Sequence, residues 1–430
     1  MEFSRKKNFY AVFFLALPFL LYFCFVPILP ALFNFTDMVA SNYQYAVNKV
    51  NAKDFVYKAA SVSDSIETVN LEKSSKKLEN PPDILKAMYI TGWSAGSKNY
   101  LNYLHELLKI TQINAVVIDV KDASGIVSYK TSAKKAKEYR AYHSEIPDVN
   151  DLVKKLHDQG IYVIGRIAVF EDPMLAQHRP NLAVYDKSKT TDSSLPVLWQ
   201  DSNGLSWVDP ASKEVWDYNI EIAKDALSHG FDEINFDYVR FPTDGNMDDV
   251  AFPVWDSNIP KHIIIKSFFK KLRESLPDAK ISADLFGQTT TNTDDMGIGQ
   301  IFEDSLGYFD YVCPMIYPSH YAEGFIGYKN PADHPYQVIT YSLNSALARQ
   351  KVYAKINEKL NPGLARTALA KIRPWIQDFD LGALYDADMV KQEIKAVINS
   401  MGEDFDGYML WNPSNYYTKE AITKEDIMSP

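Results

Sequence analysis

The chain has 430 residues with 46% hydrophobic content, which is enough for one large domain or two small ones with a sizeable core. Its formal net charge of −10 argues against a generic nucleic-acid-binding protein, because neutralising phosphates needs clustered lysine and arginine side chains. The two cysteines, Cys24 and Cys313, form no CxxC pair, which argues against a cysteine-based metal site and a disulfide framework.

The N-terminal segment has the pattern of a membrane anchor. Arg5, Lys6 and Lys7 precede an uncharged apolar stretch over residues 9–35. This stretch is longer than the roughly 20 residues needed to span a bilayer, and no clear small-residue cleavage site follows it. We therefore predict a cytoplasmic basic tip over residues 1–8 and a single transmembrane anchor over residues 9–35. A cleaved signal peptide, giving a secreted protein, and a buried helix are the alternatives.

The charge pattern around this stretch predicts where the rest of the chain lies. Because the positive flank precedes the apolar residues, the C-terminal part is expected outside the cytoplasm. A mostly polar segment over residues 36–82 follows and predicts a linker that ends near Pro81 and Pro82. We therefore expect one folded domain over residues 83–430.

Eight short apolar runs alternate with amphipathic segments in this domain, a pattern typical of an α/β protein. They cover residues 87–93, 114–122, 161–170, 232–242, 279–287, 310–318, 372–379 and 407–414. Eight strands alternating with helices predict a (β/α)8 TIM barrel. The seventh strand has an alternative over residues 351–356, where a helix also fits the pattern.

Four long connections each follow a predicted strand, so we expect them on the C-terminal face, where barrel enzymes keep their active sites. They cover residues 123–148, 171–210, 243–260 and 319–336. Polar and aromatic side chains also gather at the C-terminal parts of the strands. In chain order these are Asp119, Lys121, Arg166, Asn235, Asp237, Arg240, Asp284, Tyr317, Trp375, Gln377, Asp378, Trp411 and Asn412. Any single charged pair among them could be structural, but the set as a whole predicts one shared pocket.

The carboxylates in this set fit the chemistry of glycoside hydrolysis, which needs two carboxyl groups across one scissile bond. Asp237 and Asp284 come from neighbouring strands, and Asp378 is expected to face them across the barrel mouth. An arginine such as Arg166 or Arg240 would keep one carboxyl ionised, while an apolar niche would let the other hold its proton.

The remaining side chains of the set are predicted to bind the sugar. Asp119, Lys121, Arg166, Asn235, Arg240, Gln377 and Asn412 would hold hydroxyl groups, and Tyr317, Trp375 and Trp411 would stack on pyranose rings. The sequence has no HExxH, G-x-S-x-G or P-loop motif, so we predict neither a metal nor a cofactor.

Four motifs carry a family resemblance: VVIDVKD, FDEINFDYVRFP, VCPMIYPSHY and PWIQDF. Together they resemble an uncharacterised bacterial family of glycosyl-hydrolase-like domains, over about residues 86–415. The resemblance implies a barrel distantly similar to those of the α-amylase and α-galactosidase superfamilies. It implies that Asp237 is the nucleophile at the end of the fourth strand and that Asp378 is the second aspartate after the seventh.

The fifth strand departs from that family pattern. Asp284 stands where the resemblance implies a glutamate as proton donor, and an aspartate side chain is one methylene shorter. Glu303, Asp304 and the acids of the second strand are therefore kept as alternative proton donors.

The leading prediction is a membrane-tethered glycoside hydrolase that acts on an envelope or extracellular polysaccharide. Its expected partners are a poly- or oligosaccharide and the lipid bilayer through residues 9–35, without nucleic acid. The main alternative is a non-catalytic carbohydrate-binding protein on a barrel scaffold, because a fold does not fix a function. A third reading, a structural envelope protein that acts through its stalk, predicts no deep pocket.

Overall fold

The computed structural model describes residues 76–192, 195–360 and 369–424. The segments predicted as basic tip and transmembrane anchor, and most of the predicted linker, lie outside these residues. Within the described ranges, no helix has both the length and the apolar character required to cross a bilayer.

Parallel strands form a closed barrel with eight positions. The barrel strands are β1 (Leu85–Ile90), β2 (Ala115–Lys121), β3 (Tyr162–Ala168), β5 (Glu233–Asp237), β7 (Lys280–Phe286), β8 (Tyr311–Met315), β9 (Lys371–Ile372), β10 (Trp375–Gln377) and β11 (Gly407–Trp411). Two short strands, β4 (Tyr185–Asp186) and β6 (Val250–Ala251), lie in loops outside the barrel. The barrel order is β10-β11-β1-β2-β3-β5-β7-β8-β9, and a further pairing of β10 with β8 closes it. Because β9 and β10 share the seventh position, the predicted (β/α)8 barrel is confirmed, and every predicted apolar run overlaps a barrel strand.

The strands separate two apolar cores because their side chains alternate between faces. In β2, Ala115 and Val117 face the barrel interior, whereas Val116 and Ile118 pack outward against the helices. Both faces are buried, as in other parallel sheets covered by helices, so the strand reads as a nearly continuous hydrophobic run.

Helices follow most of the barrel strands and cover the outer core. Their bounds are Gly92–Gly96, Lys98–Ile110, Lys134–Glu138, Val149–His157, Pro173–His178, Lys213–Ser228, Lys261–Ser275, Phe302–Ser305, Pro335–Leu360 and Ala387–Met401. Several begin at a side-chain cap; Asp148, for example, accepts a hydrogen bond from the Asp151 N–H at 3.0 Å. Residues 351–356 lie in the helix Pro335–Leu360, so the alternative seventh strand is wrong.

The seventh strand position is interrupted at Arg373 and Pro374. Pro374 has no N–H to donate, although its carbonyl accepts from the Met409 N–H at 2.9 Å. The fully buried Arg373 side chain points into the barrel, where it pairs with Glu233 and lies 4.0 Å from the centre of the Tyr311 ring. This ion pair fills the end of the barrel opposite the predicted site.

The long loops after β3 and β5 are joined to each other. The strands β4 and β6, one from each loop, pair as a small antiparallel sheet. Asp209 of the first loop accepts the N–H groups of Val254 and Trp255 of the second at 2.7 and 2.9 Å. The Trp199 indole donates to the Asn246 carbonyl at 2.9 Å. Together the two loops form one connected wall beside the C-terminal ends of these strands.

Candidate active site

A cavity of about 390 Å³ opens among residues at and just beyond the C-terminal ends of the barrel strands. This position agrees with the usual location of active sites in this fold. Its lining comprises Arg166, Asp237, Tyr238, Arg240, Asp284, Phe286, Gly287, Gln288, Met315, Tyr317, His320, Trp375 and Trp411. The structure therefore brings together two of the three predicted catalytic carboxylates, both predicted mouth arginines and all three predicted stacking aromatics. A cavity of this size also contradicts the reading of a stalk protein without a pocket.

Asp237 is held on both of its carboxylate oxygens. Arg166 donates to Oδ2 from Nε at 3.0 Å and from Nη2 at 2.6 Å, and the backbone N–H of Tyr238 donates to Oδ1 at 2.6 Å. Tyr238 has a φ of 53°, which is uncommon for a residue with a side chain and ends β5 directly after Asp237. Beyond this turn the Tyr238 side chain lines the cavity and also packs against the outer core.

Arg166 is itself fixed by a buried network behind the cavity. Its Nη1 donates to Asp119 Oδ1 at 2.6 Å, and the Tyr89 hydroxyl donates to Asp119 Oδ2 at 2.5 Å. The guanidinium lies 5.1 Å from the centre of the Trp411 ring, which stacks on Tyr89 at 4.0 Å. Asp119 does not line the cavity, so it acts through Arg166 and is not positioned to hold a sugar hydroxyl.

Asp284 lies in a different environment from Asp237. Burial raises the pKa of Asp284 well above its usual range, and the nearby charge of Asp237 adds to the effect. Its Oδ1 accepts hydrogen bonds from Asn235 Nδ2 at 2.8 Å and from the Trp375 indole at 2.7 Å. Oδ2 has no hydrogen-bond partner among the described residues, so it is the oxygen that can carry the proton.

The strand register places the two carboxylates side by side. Phe236 of β5 pairs with Ala283 of β7, so the next residues, Asp237 and Asp284, are neighbours on adjacent strands. One is the anionic partner of an arginine, and the other is a buried carboxyl with a raised pKa. Two carboxyl groups with such different environments are suited to act as a nucleophile or base and an acid.

Lys121 does not reach this cavity. It pairs with Asp172 at 2.5 Å, with both side chains fully buried, and its Nζ lies 5.4 Å from the centre of the Tyr218 ring. The cause is a β-bulge between Asp119 and Lys121, where the pairing with β3 shifts register and strict alternation of faces is lost. The expectation that Asp119 and Lys121 share the pocket face is corrected accordingly.

Three predicted residues from the last two strand positions hold loops together and do not line the cavity. Asp378 accepts the Thr418 N–H at 2.9 Å and the Thr418 hydroxyl at 2.6 Å. Asn412 donates to the backbone carbonyl of Asp378, and Gln377 accepts from the Ser319 hydroxyl at 2.8 Å. Asp378 therefore does not face Asp237 and Asp284 across the mouth as expected, because its carboxylate serves a local contact.

The alternative proton donors beyond the fifth strand also have structural partners. Glu303 pairs with Arg349, and Asp304 accepts from Lys266 at 2.7 Å and contacts His262 at 3.0 Å. These contacts lie among the outer helices, and neither residue lines the cavity. Asp284 therefore stays as the acid that the cavity presents.

The structure adds residues that the sequence patterns did not single out. Phe286, Gln288, Met315 and His320 line the cavity, and burial lowers the pKa of His320. Phe286 and Met315 are the last residues of β7 and β8, and Gln288 and His320 follow these strands, so a position at or just past a strand end was the available signal. Within the described ranges, no group of three or more His, Cys, Asp and Glu side chains is arranged to hold a metal ion.

Glu171 is a further buried acid that the sequence patterns did not single out. It lies beyond the end of β3, and its side chain has no hydrogen-bond partner among the described residues. Burial raises its pKa to about 8, and the charge of Asp201 adds to this effect, while Arg240 opposes it.

Comparison with known proteins gives a family and a fold. A family model described as "Putative glycosyl hydrolase domain" matches residues 87–417. The glycoside hydrolase domain of PgaB (BpsB) from Bordetella bronchiseptica is 15% identical, with a TM-score of 0.54 over 80% of this chain and 99% of that one, which shows a shared fold. No curated protein matches the sequence.

Two further solved structures are similar at lower TM-scores. A hypothetical protein from Ruminiclostridium thermocellum ATCC 27405 is 38% identical over 49% of this chain and 98% of that one, with a TM-score of 0.42. The α-galactosidase TtGalA from Thermus thermophilus is 15% identical, with a TM-score of 0.46, over 80% of this chain and 61% of that one.

Proposed function

The chain belongs to the family of glycosyl hydrolase domains whose model spans residues 87–417, as its motifs predicted, and we propose that its Asp237 and Asp284 cleave a glycosidic bond. The observation that carries the proposal is the placement of an arginine-paired carboxylate and a buried carboxyl with a raised pKa in one cavity. Glycoside hydrolysis requires this pair of functions across the scissile bond.

In the proposed mechanism, Asp284 is the acid. It donates its proton from Oδ2 to the glycosidic oxygen as the bond to the anomeric carbon breaks. Asp237 attacks the anomeric carbon and forms a glycosyl ester, and the leaving sugar departs as an alcohol. Asp284, now ionised, then takes a proton from a water molecule that hydrolyses the ester, which restores both carboxyl groups.

The surroundings of the pair are suited to holding a sugar. Trp375 and Trp411 meet edge to face at 5.6 Å, and Tyr317 completes an aromatic side of the cavity. Apolar ring faces of this kind pack against the C–H face of a pyranose, while Arg166 and Gln288 provide hydrogen-bond donors at the polar side. Arg166 also keeps Asp237 in place, and Asp119 in turn keeps Arg166 in place.

We further propose that the enzyme acts outside the cytoplasm on an envelope or extracellular polysaccharide, tethered to the membrane through residues 9–35. The support is the basic flank followed by a long uncharged apolar stretch in the sequence. Cell fractionation tests the tether. The full chain should sediment with membranes and be released when residues 1–35 are replaced by a cleavable signal, whereas full-length protein in the soluble cytoplasmic fraction would contradict it.

The activity is tested with the full-length protein on a panel of α- and β-linked oligosaccharides and purified envelope polymers. Wild-type protein and an Asp158→Asn control, which changes an exposed aspartate of a helix end, should cleave the same substrate. Asp237→Asn and Asp284→Asn should each lose cleavage.

The possible outcomes separate the competing readings. Cleavage retained by Asp237→Asn would move the chemistry to other carboxylates. Glycan binding without cleavage by the wild-type protein would favour the non-catalytic carbohydrate-binding alternative.

A further inference from the structure

Arg240 is a buried cation in the cavity wall whose charge is not matched by an ion pair. Its side chain is 8% exposed and lines the cavity just beyond the turn at Tyr238. The guanidinium carbon lies 4.7 Å from the centre of the Trp207 ring, 4.8 Å from that of Phe286 and 5.5 Å from that of Tyr238. Three aromatic rings therefore fix the guanidinium in place and exclude water from much of its surface.

The other buried cations in the described ranges all have a carboxylate partner. The pairs are Lys121 with Asp172, Arg166 with Asp119 and Asp237, Arg349 with Glu303, and Arg373 with Glu233. Arg240 makes no such pair with any residue the structure describes. The charges of Glu171, Asp237 and Asp244 influence it only at longer range. A buried guanidinium without a partner is costly, so its neighbourhood is incomplete without an anion.

The free hydrogen-bond donors of Arg240 lie on one edge. Nη1 donates to the Phe241 carbonyl and to the Thr243 hydroxyl, both at 3.2 Å. Nε and Nη2 donate to no described residue. Neither is among the fully enclosed polar atoms that lack a partner, so this edge is open to the cavity. The two parallel N–H groups of such an edge match the two oxygens of a carboxylate.

We propose that Arg240 binds the carboxylate of an acidic sugar, so that the substrate is a polysaccharide containing uronic acid or another carboxylated residue. This inference rests on the proposed function, because it takes the cavity to be the one that holds the scissile bond. The carboxylate supplies the charge that the protein leaves out and replaces the water lost from the guanidinium. Sulfate and phosphate esters offer similar oxygens but not the planar pair that this edge matches.

The test measures binding by calorimetry, using full-length Asp237→Asn protein so that bound oligosaccharides are not consumed. The two acidic probes are a tetrasaccharide of α-linked galacturonate and a tetrasaccharide in which β-linked glucuronate alternates with a neutral sugar. Each is compared with its carboxyl-reduced form, which keeps the sugar rings and loses the negative charge. One acidic probe should bind at least about tenfold more tightly than its reduced form, as expected for hydrogen bonds to a charged group.

Variants of Arg240 assign this difference to the residue. Adding Arg240→Gln should abolish the preference for the acidic probe, because the acidic form loses much more affinity than the reduced form. Arg240→Lys should keep part of the preference, because an ammonium group supplies the positive charge but not the two parallel N–H groups of the guanidinium edge. Lys187→Gln, which removes an exposed positive charge from the loop after β3, is the matched control and should keep the full preference.

The results that overturn the inference are specific. Equal binding of acidic and reduced probes would sink it, as would equal weakening of both by Arg240→Gln. If a tetrasaccharide of neutral sugars carrying sulfate or phosphate esters binds more tightly than the acidic probes, in an Arg240-dependent way, the ligand of Arg240 is that anion and the carboxylate is ruled out. If Arg240→Gln does not fold, Arg240→Lys is the deciding variant. An undiminished preference for the acidic probe in Arg240→Lys would contradict binding by the two parallel N–H groups. The proposed function and this inference can fail separately. If acidic probes bind in an Arg240-dependent way but wild-type protein cleaves no glycan, only the proposed hydrolase is refuted. If wild-type protein cleaves neutral glycans and Arg240 variants cleave them equally well, only this inference is refuted.

Discussion

Replacing Trp375 with phenylalanine should move the alkaline limb of the pH–rate profile to higher pH. The Trp375 indole and the Asn235 amide both donate to Asp284 Oδ1, at 2.7 and 2.8 Å, and both bonds stabilise the ionised carboxylate. These two bonds lower the pKa of Asp284 and so oppose the effect of burial, which raises it. A hydrogen bond to a charged group contributes about 1.5–3 kcal/mol, and one pKa unit corresponds to about 1.4 kcal/mol. Since Asn235 keeps its bond, we expect the pKa of Asp284 to rise by about 1 unit.

The direction of the effect follows from the role of Asp284 as the acid. It must be protonated to donate, so the rate falls as the pH rises through its pKa, and a higher pKa delays that fall. The assay is kcat/KM on a cleaved oligosaccharide across the neutral and alkaline range. Trp255→Phe is the control. The Trp255 indole donates a hydrogen bond of 2.9 Å to the Ile259 carbonyl, and Trp255 does not line the cavity. An unmoved limb in Trp375→Phe, or one moved to lower pH, would refute the assignment of Asp284 as the acid.

Three further predictions concern stability, the role of one aspartate and stereochemistry. Lys121→Met should lower the free energy of unfolding by about 3–5 kcal/mol in urea titrations, because it leaves Asp172 buried and unpaired; Lys154→Met, at an exposed helix pair, is the control and should leave the midpoint in place. Asp378→Asn should keep most of kcat and lower the thermal midpoint, because its carboxylate serves Thr418; a loss of activity as large as that of the nucleophile variant would contradict this. Hydrolysis should retain the anomeric configuration in NMR spectra of the first product, because neighbouring strands lie about 4.8 Å apart and the closer carboxyl separation is the one used for retention; inversion would place a water between the two carboxyls.

The barrel could be predicted from the sequence because burial on both faces leaves apolar runs at regular intervals. The bounds of the strands were less predictable. The run over residues 232–242 contains a strand that ends at Asp237, because Tyr238 adopts a left-handed backbone that its residue type does not announce. Residues 351–356 belong to a helix that packs against the neighbouring helix Ala387–Met401, and a short run with a few apolar side chains fits either element.

The site was predictable where a strand keeps strict alternation. That pattern placed Asn235 with Asp237 on the interior face, and the pair with Asp284 followed from the strand order. It failed for Lys121, where a bulge shifts the face, since nothing in the local sequence marks the extra residue. It failed for Asp378 because the contact that satisfies its carboxylate comes from Thr418, which follows the next strand, and a residue pattern within one strand does not contain that information.

The connection between the loops after β3 and β5 has a consequence for exchanging specificity between relatives. Asp209 of the first loop is fully buried, and its Oδ2 depends on the N–H groups of Val254 and Trp255 in the second. Moving residues 171–210 alone into another barrel would separate Asp209 from these two donors, and replacing residues 243–260 alone would change the backbone that presents them. The two loops are therefore a single module, and a chimaera with a related barrel has to move both together.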